Sequence, residues 1–93
     1  MTVEEIKISI TIKNEEGLHA RPGAKLVQLI KDMDCDVYMA NEDGEEVDAK
    51  SVLGVLMLAA ERGAVMNLRA SGQDAQKAID AICSVLLDEE WTP

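Results

Sequence analysis

The chain has 93 residues, of which 47% are hydrophobic and 29% charged, and it carries a formal net charge of −9. That length supports one modest core with marginal stability, so a single domain over residues 1–93 is expected. The acidity argues against nucleic acid and anionic membrane as partners, because both are held through Lys and Arg against phosphates.

At the N-terminus, "MTVEEIKIS" has two acids and no basic segment, so it is no secretory signal, and a cytoplasmic location is expected. "IKISITI" then alternates, with Ile6, Ile8, Ile10 and Ile12 on one face and Lys7, Ser9 and Thr11 on the other. This pattern predicts a half-buried strand. "KNEEG" breaks it, and from Ala20 to about Met33 the period becomes helical. Ala20, Ala24, Val27, Ile30 or Lys31, and Met33 form the expected stripe, widened by Leu26 and Leu29. Pro22 fits only a first helical turn, where its missing N–H is not needed, so the helix starts at or just after His19.

"CDVYMA" predicts a second strand, and Asp43-Gly44 a tight turn that leads to a short return strand ending near Ala49. Ser51 can cap a helix running to about Ala60 and ended by Gly63. Its apolar run, Val52 to Ala60, is far shorter than the ~20 residues a membrane span needs. "AVMNLRA" predicts a strand with Ala64, Met66, Leu68 and Ala70 on one face. After the turn "SGQD", Ala75, Ile79, Ile82 and Leu86 mark an amphipathic helix, followed by an acidic tail at about 88–93. The order β-α-β-β-α-β-α points to an α+β fold, a mostly antiparallel sheet with helices on one face.

His19 is the only histidine. It lies at the predicted helix start, after Gly17 and two residues before the permanently cationic Arg21. A helix N-terminus offers unpaired N–H groups and partial positive charge, which together with a guanidinium can hold a phosphoryl group. A neutral imidazole nitrogen is a usable nucleophile near neutral pH. On residue types alone, an exposed loop histidine with no role stays the competing reading. No Ser or Cys nucleophile pairs with His19 for general base catalysis. Metal and cofactor signals are absent: two Cys and one His, far apart, make a poor zinc set, and Cys35 and Cys83 are expected as buried free thiols rather than a bridge.

"GLHARPGAKL" resembles the active-site segment of the histidine-containing phosphocarrier (HPr) family of the sugar phosphotransferase system. Gly17, Leu18, His19, Ala20, Arg21 and Pro22 match the family pattern. The resemblance covers nearly the whole chain and implies an open-faced sandwich, a four-stranded antiparallel sheet under three helices. It implies that His19 accepts a phosphoryl group on Nδ1 from Enzyme I, charged by phosphoenolpyruvate, and passes it to enzyme IIA domains, with Arg21 steadying the group. Such a protein is a carrier rather than an enzyme. Gly23 departs from the pattern, where alanine is common; glycine there is expected to loosen the first turn at a cost of ~1 kcal/mol.

"KSVLGV", Lys50 to Val55, resembles the regulatory-serine segment of the same family. Phosphorylation of Ser51 by an HPr kinase/phosphorylase, and contact with a transcriptional regulator, follow from that resemblance; simple helix capping by Ser51 stays open beside it. Val52 and Leu53 are expected in the partner-docking patch, with Leu56 shared between patch and core. Ala24, Lys25 and Gln28 are expected at the other edge of the patch. Lys13, Arg21, Lys25, Lys31 and Lys50 are candidates for a basic surround, with Glu15 and Glu16 altering its complementarity. A monomer is the simplest arrangement for one face that meets several partners. Two other readings are a regulatory binding module in an incomplete phosphotransferase system without sugar transport, and a small phosphohydrolase using Arg21, Arg62 or Arg69. For the hydrolase, no glycine-rich loop beyond "EEGLHARPG" is present to cradle phosphate.

Overall fold

The structure, a computed structural model, describes residues 5–90. Residues 91–93 of the acidic tail lie outside the described part. Seven elements follow in the order β1 (Glu5–Thr11), α1 (Ala20–Ile30), β2 (Asp36–Ala40), β3 (Glu46–Asp48), α2 (Val52–Met57), β4 (Val65–Ser71) and α3 (Ala75–Leu86). The strands form one antiparallel sheet in the order β1-β4-β2-β3. This is the α+β arrangement expected from the sequence.

Period-two alternation sets the two faces of this sheet. Ile8 pairs with Leu68 and Ile10 with Met66 across β1 and β4. Leu68 in turn pairs with Met39, and Ala70 with Val37, across β4 and β2. These side chains point into the core, where they meet Leu26, Ile30, Ile82 and Leu86 from the helices. The opposite face is polar. On it Arg69 bonds Glu46 through Nε to Oε2 (2.8 Å) and Nη2 to Oε1 (2.7 Å), and reaches Glu5 at 3.3 Å. Its guanidinium stacks over Tyr38, 4.2 Å from the ring centre. This charge-assisted pair holds the Glu46 carboxyl below its usual range.

Four sequence expectations needed correction. Helix α1 ends at Ile30 rather than near Met33, because Met33 N–H bonds back to Ile30 O in a turn that swings the chain into β2. Its buried stripe is Pro22, Gly23, Leu26, Val27 and Ile30, while Ala20, Ala24 and Leu29 are exposed. The contact with α2 and α3 selected that face, and the helical period alone did not distinguish it. Helix α2 ends at Met57 rather than near Ala60: tighter bonds from Leu58 and Ala59 unwind it, and Ala59 takes a left-handed conformation with φ 48°. Gly63 does not end that helix but turns into β4, with its N–H on Ile12 O at 2.9 Å.

Candidate functional site

The loop between β1 and α1 is fastened at several points before His19 is reached. The amides of Lys13 and Asn14 both bond Leu86 O at the end of α3, at 2.7 and 3.1 Å. Asn14 is fully buried, and its Nδ2 donates to Gly17 O at 3.0 Å. Gly17 N–H returns to Asn14 O at 3.2 Å, and Leu18 N–H bonds Ala60 O at 2.9 Å while its side chain sits in the core. Gly17 has φ 62°, and a Cβ there would lie 2.5 Å from Ala60 O. Only glycine fits this approach.

His19 is the N-cap residue of α1. Its backbone is extended, its carbonyl accepts from Gly23 N–H at 2.8 Å, and its side chain makes no capping bond. The imidazole is exposed at the helix start, beside first-turn N–H groups that no intrahelical carbonyl serves. The placement of Pro22 in the first turn matches the sequence expectation.

Arg21 does not stand free. Its Nε donates to Glu16 Oε1 at 3.1 Å, and Nη2 lies 2.9 Å from the same oxygen as an ion pair. The same residue, Glu16, accepts His19 N–H on its backbone carbonyl at 3.3 Å. Sequence reading noted Glu16 only as a nearby acid; its spacing of five from Arg21 carries no helical signature because the two lie on either side of a turn.

Gly23 reads differently in three dimensions. It is buried, and a Cβ there would sit 3.1 Å from Leu56 Cδ2 and 3.5 Å from Val55 Cγ1. Its missing side chain lets α1 approach α2 closely. Leu56 belongs half to this contact and half to the surface. Its tip is flexible and can yield, so Gly23→Ala is expected to gain about 0.5 kcal/mol from helix propensity after this displacement. Thermal unfolding checks it: a higher midpoint is expected, and a loss above ~1 kcal/mol would show Leu56 to be fixed.

Helix α2 lies antiparallel to α1: Leu56 and Val55 meet Gly23 near one end, and Lys50 Nζ donates to Met33 O at 2.7 Å beyond the other. The expected basic surround is therefore divided. Arg21 and Lys25 stand at the His19 end, whereas Lys50 is tied beyond the far end of α1. Ser51 also sits at that far end, where its Oγ accepts from Gly54 N–H at 3.1 Å. Val52 and Leu53 are exposed at 42% and 70%, as a docking role requires. Ala24, Lys25 and Gln28 are exposed on α1. Met57, 72% exposed, joins the patch and was missed; its spacing of four from Leu53 was the available signal. Cys35 is buried and Cys83 half-buried; both are free, and burial pushes both thiols up, which makes them poor nucleophiles.

The structure thus presents an exposed imidazole at a helix start and an apolar helix flank, on a sheet whose other face is polar. The sequence pattern of the phosphotransferase-system HPr component phosphorylation site matches residues 6–88. The chain belongs to the HPr family of phosphotransferase-system phosphocarriers, whose members are carriers and not enzymes. It is 46% identical over 76 residues to the phosphocarrier protein HPr of Cupriavidus necator, and 42% identical over 76 residues to the phosphocarrier protein NPr of Proteus mirabilis. Each alignment covers 82% of this chain and 84% of the relative. The crystal structure of a phosphocarrier protein HPr from Bacillus anthracis superposes with a TM-score of 0.83 at 28% identity, covering 88% of this chain and 96% of that one. The family implies Enzyme I and enzyme IIA as partners.

Proposed function

We propose that His19 accepts a phosphoryl group from phosphorylated Enzyme I and delivers it to enzyme IIA domains in sugar uptake. The observation that carries this reading is the exposed His19 imidazole, free of any capping bond, at the start of α1 beside Arg21. A ring-nitrogen lone pair forms the bond to phosphorus as the donor's bond breaks, and the breaking pair stays with the donor. The new dianion then lies against first-turn N–H groups and the Arg21 guanidinium, which favour negative charge. Val52, Leu53 and Leu56, with Ala24, Lys25 and Gln28, seat the partners. Ser51 is the regulatory position in this reading, reached by an HPr kinase/phosphorylase: a phosphate there adds about two negative charges at the margin of the docking face. A transcriptional regulator then reads the changed face. The protein works as a monomer in the cytoplasm, presenting one face to each partner in turn.

The NPr relatives favour a second reading, a regulatory branch without sugar transport, since NPr serves the nitrogen-related system. Incubation with phosphoenolpyruvate and Enzyme I, followed by intact mass, tests the carrier reading. A gain of ~80 Da that is absent in His19→Ala is expected; no gain, or a gain that survives the substitution, refutes it. Supplying the phosphoprotein with sugar-type and nitrogen-type IIA domains then separates the two branches, according to which one removes the label.

A further inference from the structure

Arg69 and Arg21 are held in different ways. Arg69 engages both oxygens of Glu46 in a fork, adds Glu5, and lies flat on Tyr38. Every feature of that arrangement resists exchange. Arg21 makes one hydrogen bond to Glu16, from Nε to Oε1, with Nη2 in ion-pair contact with that same oxygen, and its side chain stays 64% exposed. An arginine held this way can leave its partner.

Glu16 itself is well anchored. Its side chain is 30% exposed, its carbonyl accepts His19 N–H, and the next residue is the fixed Gly17. The carboxylate therefore hangs from a backbone bonded to His19 N–H and stays a near neighbour when a phosphoryl group arrives. Two consequences follow. The phosphoryl group must take Arg21 from Glu16, and it then faces an anionic neighbour.

We propose that Glu16 is a positioning residue that acts through Arg21 to weaken the hold of His19 on its phosphoryl group, raising the tendency of the phosphoprotein to pass it on. This rests on His19 being the acceptor. In the unmodified protein the Glu16–Arg21 pair stabilises the empty state. In the phosphoprotein the arginine changes partner, and that stabilisation is lost. Both states bind the same guanidinium, so the carboxylate shifts the balance toward the empty carrier. The bond changes are those of phosphoryl exchange: the His19 nitrogen–phosphorus bond breaks as the acceptor's bond to phosphorus forms, and the electron pair returns to the imidazole.

The test is the equilibrium between the carrier and phosphorylated Enzyme I at a fixed ratio of phosphoenolpyruvate to pyruvate, read by intact mass. Glu16→Gln and Glu16→Ala are expected to raise the ratio of phosphorylated to free carrier about three- to fivefold, the size of an exposed ion pair. In an Arg21→Ala background the same substitutions are expected to shift the ratio less than half as much. A merely structural role would move the thermal midpoint and leave this ratio unchanged. If the parent protein is phosphorylated on His19 and the Glu16 variants match its ratio, the proposal fails alone. If the shift persists in full without Arg21, action through the arginine is refuted. A parent protein that takes no phosphoryl group on His19 overturns the carrier reading, and this proposal with it.

Discussion

Replacing Gly17 with alanine is expected to lower the thermal midpoint by roughly 15 °C, because a destabilisation of about 3 kcal/mol shifts a domain of this size by roughly 4–8 °C per kcal/mol. Two costs add. Gly17 has φ 62°, and a left-handed conformation costs an ordinary residue roughly 1–2 kcal/mol. The new Cβ would also lie 2.5 Å from Ala60 O and 2.9 Å from Glu61 Cα. Both are backbone atoms, which cannot rotate away as a side-chain tip can, so overpacking adds about 1–3 kcal/mol. The strain falls on the Leu18 N–H to Ala60 O bond, which orients the residue before His19. Phosphoryl acceptance from Enzyme I should fall even at temperatures where the variant is folded. Differential scanning calorimetry with a parallel phosphorylation assay measures both; a midpoint within ~3 °C of the parent would show that the loop can move off Ala60 at little cost.

Leu53→Glu is expected to leave the thermal midpoint within ~2 °C of the parent and to cut the rate of phosphoryl transfer at low protein concentration at least tenfold. Leu53 is 70% exposed, so the folded monomer loses little packing. A docked partner loses far more, since burying a leucine is worth about 1.5–3 kcal/mol and each 1.4 kcal/mol is tenfold in affinity. The new carboxylate must also be desolvated in that interface. The loss should appear as weaker apparent binding of the carrier by Enzyme I, while transfer at saturating carrier changes little. Met57→Glu should behave alike. Unchanged transfer for both variants would remove this end of α2 from the docking face.

Gly17 and Leu53 also show where sequence reading succeeded and where it stopped. Gly17 was recognisable as a turn residue from its place before a helix start, but its partner, Ala60, lies 43 residues away, just past the end of a helix whose length had been overestimated. The Ala60 carbonyl accepts Leu18 N–H across that separation, and no local propensity encodes such a contact. The alternation of Ile6, Ile8 and Ile10 identified β1 and its core face, because side-chain direction in a strand follows from parity. In α1 the wide apolar stripe left the buried face undecided, and Ala24 and Leu29 went to solvent once α2 and α3 packed against its other side.

By itself, the sequence determined the element order, the strand faces, the start of α1 at His19 and the cap at Ser51. Each of these depends on residues within a few positions of one another, where period, proline and capping chemistry act directly. Tertiary structure alone decided that Arg21 is held by Glu16, that Gly23 admits Leu56, and that Ser51 and Lys50 lie beyond the opposite end of α1 from His19. Those relations join side chains through a turn or across helices, and their energies exist only after the core has brought the backbones together.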